Sequence, residues 1–313
     1  MPLELDLILE YISEDSTFWS DNDYFSTRNT YKIRKAREII MSNNPGITIV
    51  DVANRLNQCL DWRCEHGRAP TVYIVSKGGS GCHFLGGMLA MLDTHQCIDE
   101  VYFPGELLQF ASEASPVEAN MMIDMVNFFH IGDIGRGARK SAVNLMHLRA
   151  DTPLSTIEKI DSSSRFILLV RNPISIAISR AFRKDEYRRN TAGFGSKEYT
   201  ELDDDEYLTL QCETVQQYFQ SVLNPVNEVD SITVRYEDLV EDTTAALESV
   251  FRHLGIDQEQ IDIGDLLNRY RQQNNMSKNH NKEPHPVITA RQGRIVHDTL
   301  SETCIQLGYQ MSW

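Results

Sequence analysis

The stretch Ser76-Lys77-Gly78-Gly79-Ser80-Gly81 joins an apolar run, Thr71-Val72-Tyr73-Ile74-Val75, to a helix-like segment from Phe84 to Leu92. A glycine-rich turn between a strand and a helix presents several backbone N–H groups at the positive end of a helix dipole, which makes a cradle for an anion. Lys77, Gly78, Gly79, Ser80 and Gly81 supply that geometry. The lysine precedes the glycines and no Gly-Lys-Ser/Thr follows, so ATPase or kinase chemistry of the Walker type is disfavoured. An arginine follows another apolar run, Phe166-Ile167-Leu168-Leu169-Val170. Arg171 stands at its carboxyl end and Ser179 about two helical turns further on, where the two side chains can converge on one anion.

The elements that position these residues read as alternating strands and helices. Each apolar run is short, continuous and rich in β-branched residues, the mark of a strand buried on both faces. The first is followed by the helical Phe84 to Leu92, the second by the helical Ile174 to Phe182, and Ile232-Thr233-Val234 leads to a helical Thr244 to Leu254. That alternation predicts an α/β fold, a P-loop-like parallel β-sheet flanked by helices. Helical periodicity also runs through residues 3 to 66, in Leu5, Ile8, Leu9 and Ile12, then Ile33, Ala36, Ile39 and Ile40, then Ile49, Val52, Ala53 and Leu56. Asn43-Asn44-Pro45-Gly46 breaks the series. The predicted organisation is a helical N-terminal extension, residues 1–68, packed on a nucleotide-binding domain, residues 69–313. Two polar stretches, Lys184 to Tyr207 with its acidic run Glu201 to Glu206, and Tyr270 to Pro286, read as mobile loops.

Composition narrows the ligand class. The chain has 313 residues, 41% hydrophobic, with a formal net charge of −15. Such a balance disfavours nucleic acid and other polyanionic polymers, so an anionic ligand must meet a local basic pocket. Arg180, Arg183, Lys184, Arg188 and Arg189 form a basic cluster beside Arg171 that would steer such a ligand into an otherwise acidic protein. The six cysteines are scattered without metal-binding spacing, the first residues are acidic where a secretory leader is basic, and no run approaches the about 18 apolar residues of a membrane span. These features predict a soluble, cytoplasmic protein without a metal or a membrane partner; the oligomeric state stays open.

The order Lys-x-Gly-Ser after a strand resembles the 5′-phosphosulfate loop of sulfotransferases that use 3′-phosphoadenosine 5′-phosphosulfate (PAPS), above all the Lys-Gly-Gly-Thr form of heparan-type enzymes. Arg171-Asn172-Pro173-Ile174-Ser175-Ile176-Ala177-Ile178-Ser179-Arg180 is similar to the family's 3′-phosphate element. Val234-Arg235-Tyr236-Glu237-Asp238-Leu239 with Leu254-Gly255 resembles its RYEDL segment, to which an internal ion pair and a capped helix are ascribed. Arg291-Gln292-Gly293-Arg294 is similar to the C-terminal Arg-Lys-Gly element, with Gln292 in place of lysine. The resemblance covers most of the chain from Thr71 onward. It implies that Lys77, Gly78, Gly79, Ser80, Gly81, Cys82 and His83 hold the 5′ side of PAPS, and of its product 3′-phosphoadenosine 5′-phosphate (PAP). Arg171, Ser179, Arg291, Gln292 and Gly293 would hold the 3′-phosphate. Cys82 and His83 stand where the family often has Thr and Trp.

For the chemistry, Lys77 would stabilise the leaving phosphate oxygen, and the sulfuryl group carries too little charge to require magnesium. Two residues compete as the base for the acceptor. Glu100, in Asp99-Glu100-Val101-Tyr102-Phe103, resembles the glutamate of heparan-type and some bacterial enzymes. His147, in Met146-His147-Leu148, lies near where cytosolic small-molecule enzymes keep a histidine. An unshifted histidine suits a base at neutral pH, whereas a glutamate needs partial desolvation. Tyr102, Phe103 and Glu106 are the expected walls of the acceptor pocket. The acidic balance favours a small neutral or cationic acceptor, such as a natural-product hydroxyl on a polyketide or an alkaloid. A carbohydrate acceptor, nucleotide binding without catalysis and a divergent kinase are the alternatives.

Overall fold

The computed structural model describes residues 3–13, 18, 24–67, 69–131, 140–146, 154–182, 199–259, 261–273 and 287–310. Five strands form one parallel sheet in the order β2-β3-β1-β4-β5. They are β1 (Val72–Ser76), β2 (His95–Asp99), β3 (Ser141–Met146), β4 (Arg165–Val170) and β5 (Ser231–Arg235). β1 is buried at every position and β4 at all but its first, as continuous apolar runs dictate for strands covered on both faces. From β1 the chain moves to the edge strand β2, returns through β3, and then crosses to β4 and β5. Ligands of open α/β sheets bind outside the carboxyl ends of strands at such a reversal, and here the loop 77–81 and Arg171 follow the carboxyl ends of the neighbours β1 and β4.

The chain divides into two compact units, the first comprising Met1–Ile74, Leu85–Met146 and Pro153–Phe166, the second Val75–Phe84, His147–Thr152 and Ile167–Trp313. In the first, helices α1 (Leu5–Ile12), α2 (Tyr24–Asn43) and α3 (Ile49–His66) occupy the predicted helical region. Ile8, Ile12, Ile33, Ala36, Ile40, Val52, Ala53 and Leu56 share one apolar cluster, while Ile39 faces solvent. A reciprocal capping box between Thr48 and Asp51 starts α3. The same unit holds most of α4 (Cys82–Ala90), together with α5 (Gly105–Glu113), α6 (Pro116–Phe129) and α7 (Leu154–Ile160). From Met121 onward α6 is buried all round, so its polar residues need internal partners. Asp124 meets the fully buried Arg63 through Arg63 Nε at 2.9 Å, and Asn127 donates to Tyr73 Oη at 3.0 Å.

In the second unit, α8 (Pro173–Phe182) and α9 (Asp204–Asn227) pack together, and α9 also packs on α13 (Ala290–Gln306). Between them lie α10 (Tyr236–Glu241), α11 (Thr243–His253) and α12 (Ile263–Gln273). Three expectations change here. The acidic run is a loop only in its first half: Asp203 Oδ1 accepts from the N–H groups of Asp205 and Glu206, and Glu206 accepts from Asp203 N–H, so these acids cap and open the 24-residue α9. Tyr270 belongs to α12 and is buried edge-on to Phe84, with ring centroids 5.4 Å apart. Strands β2 and β3 were not foreseen. Residues 183–198, with Arg183, Lys184, Arg188 and Arg189, and residues 274–286 lie outside the described part, as does His147.

Candidate functional site

The loop after β1 is shaped by two glycines in the left-handed region, Gly79 at φ +98° and Gly81 at φ +92°. Gly81 is required for a second reason, since a Cβ there would stand 2.4 Å from the Tyr236 ring. Ser80 N–H donates to Lys77 O at 3.0 Å and Phe84 N–H to Gly81 O at 3.0 Å, which folds the loop into the start of α4. The outer carbonyls are taken by arginines. Arg171 donates to Gly79 O at 2.8 Å, with its guanidinium carbon 4.7 Å from the centroid of the Tyr236 ring. Arg180 donates to Gly78 O at 3.4 Å and to Gln211 Oε1 at 2.8 Å.

The RYEDL segment fastens this side of the unit. Glu237 accepts from Asn172 N–H at 3.0 Å and from Tyr309 O–H at 2.8 Å, and Asn172 Oδ1 in turn caps α8 through Ile174 N–H at 2.9 Å. The ion pair expected within the segment gives way to another arrangement. Arg235 meets the Leu307 carbonyl at 3.0 Å and lies over the Tyr309 ring at 4.9 Å. The capped helix is present, Asp242 accepting from Ala245 N–H at the start of α11.

Against these satisfied contacts, three polar groups at the loop lack a hydrogen-bond or ion-pair partner among the described residues. Lys77 Nζ lies 5.4 Å from the centroid of the Tyr218 ring and has no carboxylate partner among the described residues. Burial, and after it the charge of Arg180, lowers its pKa from the ordinary 10.5 to about 7. The hydroxyls of Ser80 and Tyr218 are buried without a hydrogen-bond partner. A buried ammonium with no anion and two buried hydroxyls with no partner are each costly, and all would be relieved by an oxyanion on the loop. The residues present therefore fit an oxyanion such as a phosphate.

The remaining candidates are placed as follows. Cys82 is buried and His83 exposed at the start of α4; Ser179 is half-buried on α8. Arg291 is 75% exposed and pairs with Asp205 at 3.0 Å, so reaching a phosphate would mean exchanging that carboxylate. Gln292 Oε1 accepts from Thr289 N–H at 2.9 Å in a capping box, and Gly293 N–H donates to Thr289 O at 2.8 Å, so both sit in the first turn of α13.

The first unit holds Glu100, Tyr102, Phe103 and Glu106. Glu100 is only 4% exposed and receives the Tyr102 hydroxyl at 3.5 Å. Its neighbours are pinned on both sides: Asp99 has φ +64° beside an irregularity in the β2–β3 register and is paired with Lys32. Val101 is clamped by Asn144, which accepts from its N–H at 3.2 Å and donates to its carbonyl at 2.9 Å. Tyr102 is buried, Phe103 half-buried at 6.3 Å from the Tyr73 ring, and Glu106 exposed in the first turn of α5. Sequence reasoning placed Arg180 in a steering cluster and overlooked its bond to the loop. It missed Tyr218 and Gln211, because both lie on the helix whose acidic start was read as a loop.

The family described as "Sulfotransferase family" matches residues 80–260. No curated protein sequence matches the chain. Among solved structures, sulfotransferase STF9 from Mycobacterium avium is similar over 97% of this chain and 97% of its own, with TM-score 0.50 and 9% identity. Mouse sulfotransferase SULT7A1 complexed with PAP matches 80% of this chain and 90% of its own, with TM-score 0.48 and 15% identity. The sulfotransferase domain of the curacin biosynthetic pathway matches 79% of this chain and 100% of its own, with TM-score 0.43 and 16% identity. The chain belongs to the sulfotransferase family and has its fold.

Proposed function

We propose that this chain transfers the sulfuryl group of PAPS to a hydroxyl or amine of a small-molecule acceptor, releasing PAP. The observation that carries the reading is the loop 77–81, where the Lys77 ammonium and the Ser80 hydroxyl are buried without an anionic or hydrogen-bonding partner. Lys77 would hold the bridging oxygen as negative charge develops on it, and the amides of the loop the 5′-phosphate. Arg171 keeps free donors beyond the one it gives to Gly79 O, and with Ser179 it is assigned the 3′-phosphate, Arg291 closing over it. Holding both phosphates fixes the sulfur in line with the acceptor, where orientation contributes much of the rate.

Glu100 is assigned the acceptor proton. Its burial and the pinned backbone on either side support a carboxylate held for one task, and Tyr102, Phe103 and Glu106 are assigned to the acceptor. The competing assignment is His147. A natural-product hydroxyl is the proposed acceptor class, with a carbohydrate as the alternative. The acidic run does not bear on the acceptor's charge, because Asp203 and Glu206 cap α9 and Asp205 pairs with Arg291. The proposed setting is cytoplasmic; none of the six cysteines is in a disulfide, and no helix among the described residues is long and apolar enough to cross a membrane.

The assignment of the base is tested by Glu100→Gln and His147→Ala, assayed by PAP release over a panel of hydroxyl and amine acceptors. Glu100→Gln is expected to lower turnover by about 10²–10⁴-fold while PAP affinity stays within about twofold of wild type. Unchanged turnover in Glu100→Gln with a collapse in His147→Ala would move the role to the histidine.

A further inference from the structure

Tyr218 lies on α9, far in sequence from the loop, and is 6% exposed. Its hydroxyl has no hydrogen-bond partner among the described residues, although a buried tyrosine O–H ordinarily finds one and leaving it unmade is costly. The ring lies beneath the Lys77 ammonium, 5.4 Å from its centroid. Burial, and after it the nearby Cys82 thiol, pushes the phenol's ionisation well above the usual tyrosine range, so the group stays a donor throughout the physiological pH range. Tyr218 is thus flanked by the residue that opens the loop, Lys77, and by the one that begins α4, Cys82. At the same loop the Ser80 hydroxyl is also unpartnered.

We propose that the Tyr218 hydroxyl is a direct ligand of the anion on this loop, donating a hydrogen bond to an oxygen of the nucleotide's 5′-phosphate. It supplies there an O–H donor that Cys82 cannot match, since a thiol donates weakly. Two donors of different kinds then meet the same end of the nucleotide, the Lys77 ammonium by charge and the Tyr218 hydroxyl by direction. The inference rests on the nucleotide reading of the loop, and it adds a ligand from α9, which lies outside every motif that suggested that reading.

The test is Tyr218→Phe, which keeps the ring under Lys77 and removes one oxygen. PAP and adenosine 3′-monophosphate, which lacks the 5′-phosphate, are titrated into wild type and variant by calorimetry, and thermal unfolding of the free proteins is compared. The variant is expected to bind PAP about 10- to 100-fold more weakly, the worth of a hydrogen bond to a charged group. Its affinity for adenosine 3′-monophosphate should be unchanged, and the free variant should unfold no earlier than wild type, because the oxygen removed has no partner in the protein. Equal PAP affinity in the two proteins, an equal loss for both nucleotides, or a lower unfolding temperature of the free variant would overturn the inference while leaving the nucleotide reading in place. Wild-type protein that fails to bind PAP would overturn both.

Discussion

Lys77→Ala is expected to lower sulfuryl transfer by about 10²–10³-fold, the usual consequence of removing one donor from a preorganised site for developing negative charge. The effect should fall on turnover more than on unfolding temperature, since Lys77 makes no ion pair or hydrogen bond that holds the fold together. Its titration gives a second signature. Burial and Arg180 bring the folded pKa down to about 7 from 10.5, so in the free protein the ammonium is present below about 7 and lost above it. Only the ammonium attracts the anion. Wild-type affinity for PAP should therefore fall as pH rises through about 7, and binding near that pH should take up a proton, measurable by calorimetry in buffers of different ionisation heat. Both effects should vanish in Lys77→Ala. The sign for stability is opposite: between about 7 and 10.5 the unfolded chain binds more protons, so the free protein gains stability as pH rises. Near wild-type turnover in Lys77→Ala would contradict the role assigned to it.

The largest expected effect on stability is at Asp124. Arg63 is 0% exposed and Asp124 1%; Arg63 Nε lies 2.9 Å and its terminal nitrogen 3.4 Å from the carboxylate oxygens. The guanidinium also donates to Ala69 O at 3.0 Å and stacks 3.6 Å from the centroid of the Phe128 ring. Asp124→Ala would strand that charge in the core, at a cost of about 3–5 kcal/mol, or roughly 10 °C in Tm. Replacing both partners, as Arg63→Met with Asp124→Leu, should recover most of the loss, because the pair's own desolvation is then removed as well. A loss below about 1 kcal/mol in Asp124→Ala would show that the pair is not buried as described.

The sequence made some parts of this protein legible and concealed others for physical reasons. β1 and β4 announce themselves because a strand covered on both faces must be apolar throughout. β2 and β3 carry Gln96, Cys97, Asp99 and Asn144. Asn144 is fully buried in the centre of a strand, but its amide completes the backbone bonds of Val101 and so behaves as main chain, a pairing that no periodicity reveals. In α9 a helix start looked like a disordered stretch, because acids that satisfy helical N–H groups are the same residues that solvate a loop.

The site divides in the same way. The glycines of the loop and Arg171 were readable because backbone geometry and anion chemistry demand those residue types in that order. The contacts that Arg180, Tyr218 and Tyr236 make at the loop, and the one Gln211 makes to Arg180, come from tertiary placement and are seen only in the fold. Arg63 stands in the last turn of α3, where an arginine is ordinarily solvated, and its burial is explained only by its partner Asp124.

The most direct measurement is thermal unfolding of the wild-type protein titrated with PAP, and separately with ATP and magnesium. A ligand that binds only the native state stabilises it by about 2.7 kcal/mol at a hundredfold excess over Kd. PAP is expected to raise Tm progressively with concentration, and ATP with magnesium to leave it nearly unchanged. Stabilisation by ATP and magnesium with none by PAP would contradict the assignment of the loop.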